Sequence, residues 1–247
     1  MNRKYVILIF LSSIAFGNID SEQKDSKSSE ILESILSQYS KDISFTLEAA
    51  HSKMELLMHI KMMYSKEDSI TRKAFAEFEK PKEIEGMNAW IWDYSEGDSK
   101  VWVTRPGSGK LLDVTDKQDK LPIDISLIQL DSSVLNQFNT VSDTVDYAGV
   151  KAYVIDFYKI KKSKKIGPLM RIWVSASENQ ILKIEKLSKK GKIISETIFK
   201  EYFEGFPKVV VINELKSKNE LIVNISNYKE LDFEDTSIFQ PVDKKND

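Results

Sequence analysis

Cysteine is absent from this 247-residue chain, and histidine occurs only twice. Without cysteine the chain forms no disulfide, offers no thiolate to a metal and lacks the acylated cysteine of a lipid-anchored lipoprotein. Glycine and proline are also scarce, at nine and six residues. Hydrophobic residues make up 41% and charged residues 30% of the chain, which is typical of a folded domain stabilised by its core.

Long apolar runs are confined to the N-terminus. Arg3 and Lys4 precede an apolar run over 5–16, and Ala15 and Gly17 lie where a signal peptidase requires small residues. This predicts a signal peptide over 1–17, cleaved after Gly17. The alternative, an uncleaved anchor, fits less well because a spanning helix needs about 20 apolar residues. Without residues 1–17 the 36 basic residues fall to 34 against 38 acidic ones, which gives no general reason to expect nucleic-acid binding.

The remaining chain is predicted to be a flexible N-terminus over 18–27 and a single domain over 28–247. Apolar residues at helical spacing predict an amphipathic helix over about 28–40. From Ile43 onward, runs rich in Val, Ile, Trp, Tyr and Phe alternate with turn residues and predict roughly ten or eleven antiparallel strands. The clearest runs are 54–64, 74–78, 86–95, 99–104, 150–160, 169–175, 180–188, 192–203, 208–215 and 220–226.

One long stretch, 120–138, interrupts this strand pattern. Pro122 suits the first turn of a helix, and the apolar residues that follow lie on one helical face. A second helix over about 122–138 is therefore expected to lie across the sheet. Its apolar face consists of Leu127, Ile128, Val134, Leu135 and Phe138.

The segment Gly107-Ser108-Gly109-Lys110 resembles the end of a phosphate-binding loop. That loop needs a glycine five residues before the Gly-Lys pair and a Ser or Thr directly after it. Thr104 and Leu111 occupy those positions, so the sequence indicates an ordinary turn.

The sequence marks no catalytic or metal site. His51 and His59, eight residues apart and without thiolates, are more typical of two partly exposed side chains than of zinc ligands. A Gly-x-Ser-x-Gly motif is absent, and nothing distinguishes any pair of carboxylates, although composition leaves a glycosidase-like pair open. We therefore expect a protein that is not an enzyme and needs no cofactor or metal.

A basic cluster lies between two predicted strands and consists of Lys159, Lys161, Lys162, Lys164 and Lys165. It has two interpretations. The first is contact with anionic headgroups or an acidic partner, and the second is a solvated hairpin loop. The second is the more common outcome for a run of charges.

Aromatic residues and methionines are the most distinctive apolar residues. Trp90, Trp92 and Tyr94 alternate along one strand, and Trp102 follows on the next. Core packing explains most such residues, but a sheet covered by helices can instead leave a cavity for an apolar ligand. The methionines clustered before residue 88 slightly favour a cavity, because their side chains adapt to ligands of different shape. They are Met54, Met58, Met62, Met63 and Met87.

The order of these elements resembles the LolA/LolB-like superfamily, especially exported outer-membrane lipoprotein-sorting proteins. The resemblance rests on an N-terminal amphipathic helix and four short motifs and covers about residues 28–242. The motifs are Phe78-Glu79-Lys80-Pro81, Gly86-Met87-Asn88-Ala89-Trp90, Arg105-Pro106-Gly107 and the closing Ser237-Ile238-Phe239-Gln240-Pro241.

The resemblance implies an unclosed, strongly bent antiparallel β-barrel with a helical lid formed by 28–40 and 122–138. It implies a monomeric periplasmic carrier that shields lipoprotein acyl chains between an inner-membrane releasing transporter and an outer-membrane acceptor. Lys80 lies where carriers of this family have an Arg linked to lid closure. The expected lipid-binding residues are Phe78, Trp90, Trp92, Trp102, Leu127, Ile128, Val134 and Leu135.

Two other functions are compatible with the same resemblance. One is a lipid transporter of the same fold. The other is an envelope-stress sensor module that binds a partner protein, although such sensors carry a second domain for which this sequence leaves no room.

Overall fold

The computed structural model describes residues 26–38, 41–51, 54–65, 70–94, 99–116, 138–161, 164–215 and 219–243. The predicted signal peptide, the predicted flexible N-terminus and nearly all of the second predicted helix lie outside these ranges. The single-domain organisation also stays a prediction.

Helix α1, Ser26–Gln38, confirms the first predicted helix, although it begins and ends two residues earlier than expected. Its buried residues Ile31, Leu32 and Ile35 lie at helical spacing on one side. No helix among the described residues is both long enough and apolar enough to cross a bilayer.

In the described ranges fourteen strands follow α1, more than the ten or eleven predicted. Their bounds are β1 Ile43–His51, β2 Met54–Tyr64, β3 Ile70–Lys80, β4 Asn88–Tyr94, β5 Lys100–Thr104, β6 Leu111–Asp113, β7 Phe138–Val141, β8 Val145–Tyr147, β9 Val150–Lys161, β10 Lys164–Ser175, β11 Ile181–Leu187, β12 Ile193–Phe203, β13 Phe206–Glu214 and β14 Asn219–Glu230. The prediction missed β6, β7 and β8, because strands of three or four residues show too little alternation to be recognised. Phe138 opens β7, so its assignment to the end of the second helix was wrong.

The strands form two compact units. Unit 1 includes Ser40–Asp131 and Val223–Asp247, and unit 2 includes Ser13–Tyr39 and Ser132–Ile222. The strand order is β6-β5-β4-β3-β2-β1-β14 in unit 1 and β14-β13-β12-β11-β10-β9-β7 in unit 2, where β8 also pairs with β9. The strand pairs β2–β3 in unit 1 and β9–β10 in unit 2 are antiparallel, and the order ends at β6 and β7 without returning. The predicted class, a mainly β fold with an unclosed antiparallel sheet, is confirmed.

In unit 2 the helix α1 lies on the apolar face of the sheet. The Ser28 hydroxyl donates to the Asn139 side-chain carbonyl, and the Asn179 amide donates to the Ser34 hydroxyl over 2.9 Å. The Lys27 ammonium lies 4.5 Å from the centre of the Tyr153 ring. These polar contacts fix the orientation of α1 while its apolar side is buried. The buried residues on this face of the sheet include Ile155, Phe157, Ile172, Val174, Ile184 and Val210.

The opposite face of unit 2 carries a network of charges. The Arg171 guanidinium donates to both carboxylate oxygens of Asp156, over 2.7 and 3.1 Å, and this hydrogen bonding raises the pKa of Arg171. Glu185 is almost fully buried between the ammonium of Lys183 at 2.6 Å and the guanidinium of Arg171 at 3.6 Å. Since an unpaired buried carboxylate is costly, the two cations make burial of Glu185 possible. Lys183 also lies 4.7 Å from the centre of the Trp173 ring.

In unit 1 the C-terminal segment, residues 231–243, returns across one face of the sheet. The indole N–H of Trp90 donates to the Ile238 carbonyl and that of Trp92 to the Phe239 carbonyl, each over 2.9 Å. Phe239 is fully buried in a 3-10 helix, Ser237–Phe239, and its ring lies 5.0 Å from that of Phe233. The segment is therefore attached by both hydrogen bonds and aromatic packing.

Phe239→Ala is expected to lower the free energy of unfolding by about 3–5 kcal/mol, because it leaves a cavity beside Phe75 and Trp90. Urea unfolding followed by tryptophan fluorescence measures the change. Val242→Ala is the control, since Val242 is 53% exposed and should change the stability by less than about 0.5 kcal/mol. Equal stabilities of the two variants would show that the segment does not contribute to the core.

Asp235 makes the attachment of this segment sensitive to acid. Its carboxylate accepts hydrogen bonds from the backbone N–H of Ser237 over 2.8 Å and from the Ser237 hydroxyl over 3.0 Å, which lowers the pKa of Asp235. A carboxylate with a lowered pKa stabilises the fold above its unfolded pKa of about 3.9, and this contribution is lost as the pH falls through the folded pKa. Asp235→Asn should therefore be less stable than the wild type at pH 6, and the gap should close by pH 2. A gap that is independent of pH would exclude the carboxylate as its origin.

Candidate functional site: an apolar face of unit 1

Strands β1–β5 present two chemically different faces. Side chains directly opposite each other in an antiparallel pair lie on the same side of the sheet. Met58 faces Phe78 across β2 and β3, whereas Phe75 faces Trp90 across β3 and β4. Because Phe75 and Phe78 are three residues apart, their side chains point to opposite sides.

The first of these surfaces, here called the Phe78 face, is lined mainly by apolar side chains at the positions that register assigns to it in β1–β5. All are at most 6% exposed. They are Ile43, Phe45, Leu47, Ala49, Leu56, Met58, Ile60, Met62, Ala74, Ala76, Phe78, Ala89, Ile91, Val101 and Val103.

Small side chains occupy the middle of the Phe78 face. Ala76 lies opposite Ala89, and Ala74 is its neighbour two residues along β3. Methionines border them, since Ala74 lies opposite Met62 on β2. Because alanine side chains are short, the apolar atoms of a ligand can approach the backbone there. Methionine side chains adapt their shape to the atoms that they contact. The face is chemically suited to long, flexible hydrocarbon.

A buried ion pair marks one end of the Phe78 face. Arg72 and Asp93 are opposite each other in the β3–β4 register, beyond Ala74 and Ile91, and the Arg72 guanidinium donates to the Asp93 carboxylate. The Ser99 hydroxyl donates to the same carboxylate over 2.6 Å. The sequence analysis missed this pair. The scarcity of arginine was the available signal, and only the register shows that Arg72 and Asp93 meet.

The second surface, here called the Trp92 face, includes Phe75, Trp90, Trp92 and Trp102. The rings of Trp92 and Trp102 pack edge to face with centroids 5.1 Å apart, and the Lys73 ammonium lies 4.7 Å from the centre of the Trp92 ring. The C-terminal segment covers this face through its hydrogen bonds to Trp90 and Trp92. Aromatic residues thus attach the C-terminus to the sheet.

The predicted lipid-binding residues are therefore divided. Phe78 lies on the Phe78 face, while Trp90, Trp92 and Trp102 lie on the Trp92 face. Sequence alternation correctly placed the tryptophans on one side, but it could not relate that side to Phe78 on another strand. The other four, Leu127, Ile128, Val134 and Leu135, lie outside the described residues. A binding role for any member of the set stays a prediction.

Lys80 is the last residue of β3, and its side chain is exposed. Its ammonium is 3.2 Å from the Glu55 carboxylate, and the two side chains are 49% and 68% exposed. Such an exposed pair contributes little to stability. A gating role for Lys80 also stays a prediction.

The remaining candidates for chemistry have structural explanations. The imidazole of His59, half exposed, is bonded to Thr46 at 3.2 Å and to Glu79 at 3.0 Å. Across the described ranges, no group of three or more His, Asp or Glu residues is placed to hold a metal ion. The segment after β5 is a turn closed by the Arg105 N–H, which donates to the Lys110 carbonyl over 2.8 Å.

Comparison with known proteins finds similarity in structure alone. No family model and no curated protein matches the sequence. A putative outer membrane lipoprotein-sorting protein domain from Vibrio parahaemolyticus is similar, with a TM-score of 0.69 and 14% identity over 87% of this chain and 97% of that one.

Two further structures have the same architecture. A DUF1329 family protein from Desulfovibrio piger has a TM-score of 0.67 and 14% identity over 88% of this chain and 98% of that one. A LolA superfamily protein from Nitrosomonas europaea has a TM-score of 0.52 and 16% identity over 85% and 97% of the two chains. At these identities the comparisons establish the fold, and they confirm the resemblance found in the sequence. This chain has a LolA-like fold.

Proposed function

We propose that this protein is a periplasmic carrier that binds the acyl chains of lipoproteins on the Phe78 face and shuttles them from the inner to the outer membrane. The observation that carries the proposal is the chemistry of that face, which is mainly apolar, low in the middle and bordered by methionine. The LolA-like fold supports it.

The physical requirement of such a carrier matches this chemistry. Each methylene of an acyl chain costs about 0.8 kcal/mol to leave in water, so a lipoprotein with two or three chains needs a large apolar surface to cross an aqueous compartment. Release requires that the contacts be adaptable and not strongly directional. Dispersion contacts with Ala, Met, Ile and Val meet both needs, because they have no fixed hydrogen-bond geometry.

The proposal includes no chemical step. Acylated lipoproteins enter from an inner-membrane releasing transporter and leave to an outer-membrane acceptor, and the protein acts as a monomer without a cofactor. Binding and release of hydrocarbon need no acid, base or nucleophile. The two apolar segments proposed as lid pieces are α1 and residues 122–137.

Ala76→Leu is expected to weaken acyl binding about tenfold, because three added carbons occupy the low centre of the Phe78 face. Displacement of a fluorescent fatty acid by a triacylated lipoprotein measures the affinity, and circular dichroism checks the fold. Glu77→Leu is the matched control, since it places the same side chain on the adjacent residue, which is exposed and points to the other face. Equal affinities of the two variants would contradict the site.

A second measurement keeps the site testable if Ala76→Leu is unstable. The wild-type protein is isolated without detergent from cells fed a photoactivatable fatty acid, irradiated and digested. Mass spectrometry should locate adducts on Met58, Met62 and Phe78 and identify acylated lipoproteins as the bound species. Adducts mainly on Trp102 would move the site to the other face, and free phospholipid as the bound species would replace lipoprotein carriage with lipid transport.

If Lys80 controls closure of the lid, Lys80→Leu is expected to change the rate at which a bound acyl chain is released. Its stability should change by less than about 1 kcal/mol, because the Lys80–Glu55 pair is exposed. Glu55→Gln is the control, since it breaks the same ion pair and keeps the lysine. A release rate that matches the wild type in Lys80→Leu would limit Lys80 to a surface role.

A further inference from the structure

In unit 2, every second turn along the chain lies at the same end of the sheet. Strands β9 to β13 are antiparallel neighbours in chain order, so each turn lies at the opposite end from the one before it. The β11–β12 turn therefore shares one end with the C-termini of β9 and β13. This end, here called the basic end, has Lys189, Lys190, Lys192, Ile193, Ile194 and Leu215 at its strand ends and turn positions.

The β11–β12 turn has a defined backbone. The Ser188 N–H donates to the Lys192 carbonyl over 2.8 Å, and the Lys192 N–H donates to the Ser188 hydroxyl over 3.0 Å. Gly191 has φ of 74°, a conformation that other residues adopt only with strain. The turn thereby holds Lys189, Lys190 and Lys192 exposed, on a backbone that needs little ordering when a ligand binds.

Three exposed aliphatic side chains adjoin this turn. Ile193 is 37% exposed, Ile194 is 42% exposed and Leu215 is 46% exposed. The Leu215 N–H donates to the Ile194 carbonyl over 3.1 Å, so the ends of β12 and β13 place Ile194 and Leu215 side by side, and Ile193 precedes Ile194 in the chain. Single exposed aliphatic side chains are common, but three of them beside a row of lysines give this end both an apolar part and a positively charged part.

The opposite end of unit 2 differs in its turns. The β10–β11 turn contains Glu178, and the β12–β13 turn is Glu204-Gly205, with no lysine in either. Near the basic end lie the acidic residues Glu214 and Glu220, so its positive charge comes from Lys189, Lys190 and Lys192 of the β11–β12 turn.

The composition of the basic end favours a membrane over a protein partner. Protein interfaces are enriched in aromatic residues and arginine and depleted in lysine, whereas the side chains of residues 189–194 and 215 are lysine, isoleucine and leucine. Lysine attracts anionic headgroups as a point charge without the fixed geometry of arginine, and short aliphatic side chains enter the boundary between headgroups and acyl chains. We propose that the basic end docks on the surface of an anionic phospholipid bilayer, with the lysines contacting headgroups and Ile193, Ile194 and Leu215 at the acyl boundary.

Sedimentation with vesicles tests the docking. The purified full chain is mixed with vesicles of phosphatidylcholine alone or with 30% phosphatidylglycerol, and no acylated cargo is present, so the result does not depend on the carrier function. Wild-type protein should bind the anionic vesicles at least tenfold more strongly than the neutral ones, and salt should weaken this binding. All variants share the wild-type N-terminus, whose apolar segment contributes equally to each.

The lysines of the turn are tested by Lys189→Gln, Lys190→Gln and Lys192→Gln together, with Gly191 retained. Loss of three surface charges should lower the vesicle partition coefficient about a hundredfold. The matched control replaces three exposed lysines near the other end of unit 2, Lys151, Lys200 and Lys208, with Gln. It removes the same charge and should change binding less than threefold.

The aliphatic residues are tested by Ile193→Ser with Ile194→Ser, which should lower the partition coefficient about tenfold and reduce the part of the binding that survives high salt. If the two triple Lys→Gln variants lost vesicle binding equally, the proposal would be overturned, because binding would then depend on net charge and not on the basic end. Failure of wild-type protein to prefer anionic vesicles would also overturn it, and would direct the search to an acidic protein partner.

Discussion

Alternation of side chains across antiparallel strands is the constraint from which the rest of this molecule follows. Backbone hydrogen bonds hold each register, and register decides which residues share a face. In unit 1 this places Met58, Ala76 and Phe78 on one side and Phe75 and Trp90 on the other. A slip of one residue would mix the two sets, so the separation of the faces depends on every strand pair keeping its register.

The two faces of each unit are stabilised in different ways. In unit 1 the Trp92 face is covered by the C-terminal segment, whose carbonyls accept the indole N–H groups of Trp90 and Trp92. In unit 2 one face packs against α1 and the other carries the buried network of Arg171 and Glu185. These contacts cover the faces that carry polar and aromatic groups. The proposed ligand surface is therefore the Phe78 face, which is built mainly of small and flexible apolar side chains.

The two proposals assign separate tasks to separate parts of the chain. Hydrocarbon binding uses unit 1, where dispersion and desolvation act over a broad apolar face. Membrane docking uses one end of unit 2, where lysines act over a Debye length of about 8 Å in physiological salt. A carrier that meets two membranes benefits from weak, reversible docking, and surface lysines with partly exposed aliphatics supply contacts of that strength.

The sequence by itself determined the class of the fold. Alternation predicted most of the long strands, helical spacing predicted α1, and the failed spacing around Lys110 correctly indicated a turn. The short strands β6, β7 and β8 were missed, since three or four residues carry too little periodicity, and Phe138 was assigned to a helix because it continued the apolar helical face predicted for 122–138. The resemblance to the LolA superfamily needed the order of the elements, which the sequence contains.

Only the tertiary structure decided which residues share a surface. Within one strand the sequence shows alternation, but the relation between strands depends on registers set by backbone pairing and bulges over long separations in sequence. Phe78 and Trp90 therefore looked like one site and lie on opposite faces. For the same reason the sequence did not show that Arg72 and Asp93 pair, or that the β11–β12 turn lies at the same end of unit 2 as the C-terminus of β13.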